Sequence, residues 1–320
     1  MRSRTLGRSG FAVSEIGFGA WGIGGRTGGE TSYGDTDDRR SLAALDRAFD
    51  LGITFYDTAP AYGDGHSETL VGEAFARRRD RVAIATKAGL PRFGEPSDFS
   101  PEALRRSLEG SLQRLKSDYV DLFQLHNPPP DLFRSAPESY ATLEALRCEG
   151  KIRAVGVSVK SPAEALSMLS SHTVAAVQVN LNMLDVRAVE SGLLERAAEI
   201  GVGVIARTPL CFGFLSGAVT AATEFAPGDH RRAWPRAQIE RWVKGAAAMQ
   251  AATNAPASQS PSQAALRFCL SFPAVSAVIP GILSPEEAAD NAAASGFGPL
   301  DEAARDRIVA LNREIELFAR

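Results

Sequence analysis

Residues 82–126 read VAIATKAGLPRFGEPSDFSPEALRRSLEGSLQRLKSDYVDLFQLH, which is one strand, one helix and the strand that follows. The stretch opens on a short apolar run, Val82–Thr86, that stops at Lys87. A loop containing Gly and Pro fills positions 88–99. Ser100-Pro101 then supplies a helix cap and a first-turn proline. Leu104, Leu108, Leu112 and Leu115 recur at the i, i+4, i+8, i+11 spacing of one helix face. A second apolar run, Val120–Leu125, stops at His126.

The same alternation runs along the whole chain. Apolar runs at Glu15–Phe18, Thr54–Asp57, Val82–Thr86, Val120–Leu125, Ala154–Val157, Ala176–Val179, Val202–Ala206 and Ala277–Ile279 predict eight strands. Helix patterns lie between them. Leu42, Leu45 and Phe49 share one face, and Ser161-Pro162-Ala163-Glu164 and Ser284-Pro285-Glu286-Glu287 each combine a cap, a proline and a capping-box Glu. Eight strands each followed by a helix predict an α/β protein, a single (β/α)8 TIM barrel over 1–320, with a doubly wound open sheet as the alternative. Turn signals at Gly7 and Ser9-Gly10, between Thr5-Leu6 and Phe11-Val13, predict an N-terminal β-hairpin cap, and extra helices are expected at the C-terminal end. Residues 255–262 read as a flexible link between two helices. Residues 208–236 form an irregular stretch longer than a structural connection needs.

Composition narrows the function. The chain has 320 residues, 35 basic and 38 acidic side chains, a formal net charge of −3 and 44% hydrophobic residues. That balance excludes a disordered or coiled-coil chain and offers no generic field for nucleic acid or an anionic membrane. No apolar run approaches the 18 residues of a membrane span, and the N-terminal residues hold no signal-peptide core. Cys148, Cys211 and Cys269 are far apart and outside any metal spacing, so reduced thiols in a cytoplasmic protein are expected.

In a barrel, chemistry belongs at the C-terminal ends of the strands. Those ends read Asp57, Lys87, His126, Ser158, Gln178 with Asn180, and Arg207. Any one of them is accounted for by a structural ion pair or hydrogen bond; a run of six polar strand ends is not. Asp57 and Lys87, on neighbouring strands, are expected to neutralise each other. Tyr62 lies five residues past Asp57, in DTAPAYGDG. An ammonium stabilises a phenolate, so a tyrosine beside Lys87 can give a proton to a developing alkoxide or take one from an alcohol. His126 would orient a carbonyl oxygen.

These residues carry a family resemblance. RTLGRSGFAVSEIGFGAWG, ITFYDTAPAYGDGHSETLVGEAF, IATKAG, DYVDLFQLHNP, GKIRAVGVS, VQVNLNML, ARTPLCFGFLSG and VIPGILSPEEAADNAAA occur in that order, and in sequence and spacing the chain resembles the aldo-keto reductases over nearly its whole length. The resemblance implies a (β/α) barrel that moves hydride between a nicotinamide cofactor and a carbonyl compound without a metal. It places the catalytic tetrad on Asp57, Tyr62, Lys87 and His126, the same four reached from the strand ends and the loop that follows Asp57.

The literal G-x-G-x-x-G at Gly17–Gly22 is a decoy, because no helix pattern follows it until about Asp37. The resemblance instead puts the cofactor on Trp21, Asp57, Ser158, Gln178, Arg207, Thr208, Pro209, Leu210, Gly213, Ser216, Gly281, Ser284, Glu287 and Asn291. Val159 stands where an Asn often follows the Ser, and Arg207 where an aromatic usually covers the ring. The resemblance implies NADP(H). Yet residues 281–287 carry no base, Glu286 and Glu287 would repel a 2′-phosphate, and Ala218 replaces a frequent Lys. Those departures point to NAD(H) as well, unless Arg231 or Arg232 folds back as a clamp. Phe93, Phe99, Phe133, Phe212, Phe214, Phe225 and Trp234, in the loops at 88–99, 127–136 and 208–236, suggest a bulky carbonyl substrate such as a sugar or natural-product ketone. The loop at 23–36 is a further specificity element. Two competing readings are a cofactor-sensing regulatory subunit with little turnover and a Schiff-base lyase using Lys87.

Overall fold

The computed structural model describes residues 1–27, 31–171, 174–256 and 258–315. Strands β1 (Ser3–Thr5) and β2 (Ala12–Ser14) pair antiparallel as the expected hairpin. Strands β3 (Phe18–Gly19), β4 (Phe55–Asp57), β5 (Ala83–Ala88), β6 (Val120–His126), β7 (Ile152–Ser158), β8 (Ala176–Asn180), β9 (Gly203–Arg207) and β10 (Val275–Ile279) form one parallel sheet in sequence order. Its two ends meet, since Ile16 bridges to Val278 and Gly19 to Gly281, with the Gly17 and Gly19 amides donating to the Val278 and Pro280 carbonyls at 2.8 Å. The sheet thus closes into a (β/α)8 TIM barrel, which leaves no free edge. The first strand lies slightly later than its apolar run suggests, because residues 15–17 pair across the seam with β10.

Eight helices follow the strands one for one: α1 (Asp38–Asp50), α2 (His66–Phe75), α3 (Pro101–Leu115), α5 (Pro137–Cys148), α6 (Pro162–Ser171), α8 (Leu193–Glu199), α10 (Pro261–Leu270) and α11 (Pro285–Phe297). The short α4 (Leu132–Ser135) and α7 (Arg187–Glu190) sit in the connections. An extra C-terminal helix is present as α12 (Glu302–Ile315), and a second extra helix, α9 (Arg236–Ala252), lies between β9 and α10 and packs on it. On α3 all four periodic leucines are buried. The link expected at 255–262 is shorter than that, because Ser260 and Gln263 form a reciprocal capping box, at 3.1 and 3.2 Å, that starts α10 at Pro261. Ala257 in that link, and Gly28–Glu30 in the 23–36 loop, lie outside the described residues.

Strand alternation sorts the core into two layers. Tyr56, Ile84, Phe123, Val155, Val157, Val177, Val179, Val204 and Val278 join the helices in the outer core. Their neighbours Phe55, Ala83, Ala85, Leu122, Ala154, Ala176, Ile205, Ala277 and Ile279 fill the barrel, with Leu6 and Val13 of the hairpin packed among them. The inward parity that places these apolar residues continues toward the strand ends. Two steps on from Phe55, Ala85, Leu122, Ala176 and Ile205 stand Asp57, Lys87, Gln124, Gln178 and Arg207; two steps past Gln124 and Gly156 stand His126 and Ser158. A dry interior and a polar mouth are therefore successive positions on the same strand faces.

Candidate active site

Lys87 has no exposed surface, and Asp57 is 2% exposed. An ammonium so placed needs every proton satisfied. Lys87 Nζ donates to Asp57 Oδ1 at 2.6 Å, to the Thr58 carbonyl at 2.9 Å and to Tyr62 Oη at 3.1 Å. Burial works against its charge, but the Asp57 carboxylate and then Tyr62 outweigh burial and hold its pKa above the ordinary lysine value. The second Asp57 oxygen accepts from the amides of Gln124 and Gln178, both at 2.8 Å.

From Gln178 the network crosses the barrel floor. Ser158 Oγ donates to Gln178 Oε1 at 3.2 Å and accepts from Arg207 at 3.2 Å. Arg207 Nε donates to Asn180 Oδ1 at 2.8 Å, which also accepts from Thr208 Oγ1 at 3.1 Å. Burial pulls the Arg207 pKa below the ordinary arginine value, with Tyr62 and Asp57 opposing that shift. One continuous chain of hydrogen bonds thus runs from Tyr62 through Lys87, Asp57, Gln178 and Ser158 to Arg207.

Tyr62 begins a 3-10 turn in which Gly63, Asp64 and Gly65 all have positive φ, at 62°, 53° and 92°. A Cβ on Gly63 would meet the Gly24 carbonyl at 1.9 Å, so the turn lies directly on the first strand-to-helix loop. Behind it, the hydroxyls of Thr58 and Ser67 share a hydrogen bond at 2.8 Å, and Ser67 donates to the Ala20 carbonyl at 2.7 Å. Glu68, fully buried, accepts from Thr86 at 2.5 Å and from Arg114 at 2.7 Å. The tyrosine is fixed from both sides. His126 meets its ring edge-on at 6.2 Å between centroids, and Phe93 flanks both rings at 6.3 and 6.4 Å. Burial, then the charges of Lys87 and Arg207, hold the His126 pKa well below the ordinary histidine value, and its Nδ1 is buried without a hydrogen-bond partner.

The other expected cofactor residues extend away from this floor. Past Arg207 the backbone turns left-handed at Thr208, Cys211, Phe212, Gly213 and Gly217. Pro209 is buried and Leu210 half-buried beside it, while Ser216 donates to the Gly213 carbonyl at 2.7 Å. Gly281 bridges to Gly19 at the barrel seam. Ser284 caps α11, accepting from the Glu287 amide at 3.2 Å, while the Glu287 carboxylate takes the Leu283 amide at 2.6 Å. Asn291 is buried one turn further along α11. Trp21 packs on Tyr33 and His230 at 4.8 and 5.1 Å, and His230 packs in turn on Phe212 and Trp234 at 5.5 and 5.2 Å. This aromatic chain ties the first loop to the 208–236 stretch, and the His230 amide donates to the Ser32 carbonyl at 2.9 Å.

Arg231 does fold back, donating to the Phe212 carbonyl at 2.9 Å, but it arrives paired with Asp229 at 2.6 Å. Of the seven loop aromatics, only Phe93 stands against Tyr62 and His126; Phe99, Phe133 and Phe214 are core residues at 8%, 2% and 2% exposure. Two participants escape a reading of apolar runs. Gln124 hides inside the run VDLFQLH, and only its parity with Leu122 and His126 marks it. Arg40, on α1, reaches Glu286 at 3.4 Å from 246 residues away, and no sequence signal links the two.

A closed β/α barrel with its polar groups gathered at the strand ends is an enzyme architecture. The aldo/keto reductase family model matches residues 15–313. The NADH-specific methylglyoxal reductase of Escherichia coli is 30% identical over 98% of this chain and 100% of its own length. Aldo-keto reductase YhdN of Bacillus subtilis is 34% identical over 76% of this chain and 72% of its own. A solved glycerol dehydrogenase from Gluconobacter oxydans superposes with a TM-score of 0.81 at 28% identity, covering 99% of this chain and 97% of that one. The chain belongs to the aldo/keto reductase family, and it is an NAD(P)H-dependent oxidoreductase.

His126 gives the site a pH signature. An unfolded histidine takes up its proton near pH 6.5, whereas His126 in the fold does so only well below that. Its neutral state therefore contributes stability that is present above about pH 6.5. That stability declines as pH falls below this value, by at most about 1.4 kcal/mol per unit. Urea unfolding of wild type and His126→Gln between pH 7 and 5.5 should show their stability difference changing by about that slope. A pH-independent difference would contradict a buried neutral imidazole.

Proposed function

We propose that this chain reversibly reduces an aldehyde or ketone to the alcohol, with Tyr62 as proton donor, Lys87 and Asp57 tuning it and His126 orienting the carbonyl. The observation that carries this reading is the buried Lys87 ammonium bridging Asp57 Oδ1 at 2.6 Å and Tyr62 Oη at 3.1 Å. Tyr62 passes its phenolic proton to the carbonyl oxygen as charge builds there, and Lys87 stabilises the phenolate left behind. Neutral His126 donates one hydrogen bond to the same oxygen. A bound nicotinamide supplies the hydride, or accepts it in the reverse direction. The Schiff-base alternative needs a neutral lysine, and the ion pair with Asp57 keeps Lys87 charged.

The residues present suit a nicotinamide dinucleotide. Ser158, Gln178 and Arg207 offer hydroxyl, amide and guanidinium groups in one network with Tyr62, and the left-handed turns at Thr208, Cys211, Phe212, Gly213 and Gly217 would bring backbone rather than side chains against the pyrophosphate. In this reading Trp21, Asp57, Thr208, Pro209, Leu210, Gly213, Ser216, Gly281, Ser284, Glu287 and Asn291 complete the contact surface. The adenosine end favours NADH over NADPH. Glu286 and Glu287 stand in the first turn of α11, Arg40 meets Glu286, and Arg231 is occupied by Asp229. The E. coli relative carries NADH specificity in its name.

The substrate reading is a hydroxylated carbonyl of sugar type. Beside Phe93, the rim holds Arg92 paired with Asp64 at 3.7 Å, and Asn127, next to His126, has a buried Oδ1 without a partner. Such a mixed rim suits hydroxyl groups better than a wholly apolar ketone. L-galactose dehydrogenase of Arabidopsis thaliana, 31% identical over 91% of this chain, fits the same class.

Tyr62→Phe should keep NADH affinity within a few-fold and lose about 10²- to 10⁴-fold in turnover of such an aldehyde; unchanged turnover would remove the proton-donor role. Titration of the wild-type protein with each cofactor, followed by tryptophan fluorescence, should show NADH binding at least as tightly as NADPH. A preference of several hundred-fold for NADPH would overturn the cofactor assignment.

A further inference from the structure

Two cations stand at the barrel mouth, Lys87 fully buried and Arg207 half-buried, and they differ in how they are matched. Lys87 is paired with Asp57. Arg207 has neutral partners, the Ser158 hydroxyl and the Asn180 amide oxygen. The carboxylates around it are engaged elsewhere. Asp57 holds Lys87 and two glutamine amides, Asp185 is gripped by Arg187 at 2.8 and 2.6 Å, and Glu164 caps the Lys160 and Ser161 amides at 2.8 and 3.0 Å. Lys160, on the rim, is solvent-exposed and screened. A guanidinium stays protonated in a protein even under burial, so this positive charge has no counter-ion of its own among the described residues.

The geometry says what that charge faces. A hydride donor must come within about 3–3.5 Å of a carbonyl carbon whose oxygen rests on Tyr62 and His126. Phe93 flanks that pair on one side. Gln178, Ser158 and Arg207 are joined to Tyr62 through Asp57 and Lys87, and the Arg207 charge reaches both Tyr62 and His126. A nicotinamide ring that takes its amide contacts from Ser158 and Gln178, as in the proposed function, would lie beside Arg207, which donates to Ser158.

Resting on the oxidoreductase reading above, we infer that Arg207 makes the site discriminate between the oxidation states of its cofactor, weakening the cationic oxidised nicotinamide relative to the neutral reduced one. Hydride transfer to the carbonyl carries two electrons and one hydrogen nucleus away from the ring and leaves it with a unit positive charge. In the reduction direction that charge forms beside Arg207; in alcohol oxidation it disappears. Two unit charges about 5 Å apart at an effective dielectric of about 20 repel by enough for a hundred-fold effect, and spreading of the ring charge brings the expectation to about 10- to 100-fold. Each tenfold raises the potential of the bound couple by about 30 mV. Oxidised cofactor then leaves quickly after reduction, and the equilibrium on the enzyme shifts toward reduced cofactor and carbonyl compound.

Calorimetric Kd values for NADH and NAD+ on the wild type, Arg207→Gln and Arg207→Lys test this without turnover. The wild type should bind NADH at least about tenfold more tightly than NAD+. Arg207→Gln should shrink that ratio about tenfold or more, and Arg207→Lys, which keeps the charge and loses the fork, should hold it within about threefold. A ratio unmoved by Arg207→Gln, or lost equally in Arg207→Lys, would overturn the inference while leaving the oxidoreductase reading intact. Failure of the folded wild type to bind either cofactor would overturn both.

Discussion

An ammonium without solvent is the constraint around which the rest of this structure is arranged. Burying a lysine costs several kcal/mol unless a counter-charge and hydrogen bonds offset it, and Lys87 is offset on all sides by Asp57, the Thr58 carbonyl and Tyr62. Asp57 must then be held, and Gln124 and Gln178 hold its second oxygen. Gln124 in turn needs room. It finds room at Gly156, where a Cβ would lie 3.1 Å from the Gln124 side chain. Each satisfied group fixes the next, so Asp57, Lys87 and Tyr62 are held in place before any substrate arrives, and preorganised placement is what electrostatic catalysis requires.

The fold makes this arrangement affordable in a simple way. The interior below the mouth is built from alanines and a few larger apolar residues, closed underneath by Leu6 and Val13. Above it, the same inward parity delivers polar groups on every strand from β4 to β9, two of them on β6 (Gln124 and His126) and two on β8 (Gln178 and Asn180). The outer face of those strands is mostly apolar against the helices, and its polar members Thr86 and Asp121 are paired with Glu68 and with Arg79 and Arg153. Across the opening, the Trp21–His230–Trp234 chain joins loops that are some two hundred residues apart in sequence.

Much of this was legible in the amino-acid order. Seven of the eight barrel strands fall on their apolar runs and the first begins at the end of its run, while Asp57, Lys87, His126, Ser158, Gln178 and Arg207 stand where a run stops. The decoy glycine pattern fails for the reason expected, since a 3-10 turn at Gly22–Gly24 follows it and α1 waits until Asp38. What the sequence hid depends on distance or on side-chain direction. The pairing of Arg40 with Glu286 needs α1 and α11 to be neighbours. Phe99, Phe133 and Phe214 look like site residues because they occur in loops, but those loops fold inward and bury them. Gln124 was masked by apolar neighbours on the opposite face of its own strand.

The claim on which everything else depends is that Lys87, seated on Asp57, works through Tyr62. Single-turnover reduction of a hydroxylated aldehyde by Lys87→Met preloaded with NADH tests it most directly, with NADH binding confirming an intact fold. The account predicts a loss of about 10²-fold or more in the hydride-transfer rate while cofactor affinity stays within a few-fold. A variant that binds NADH and transfers hydride at the wild-type rate would contradict it.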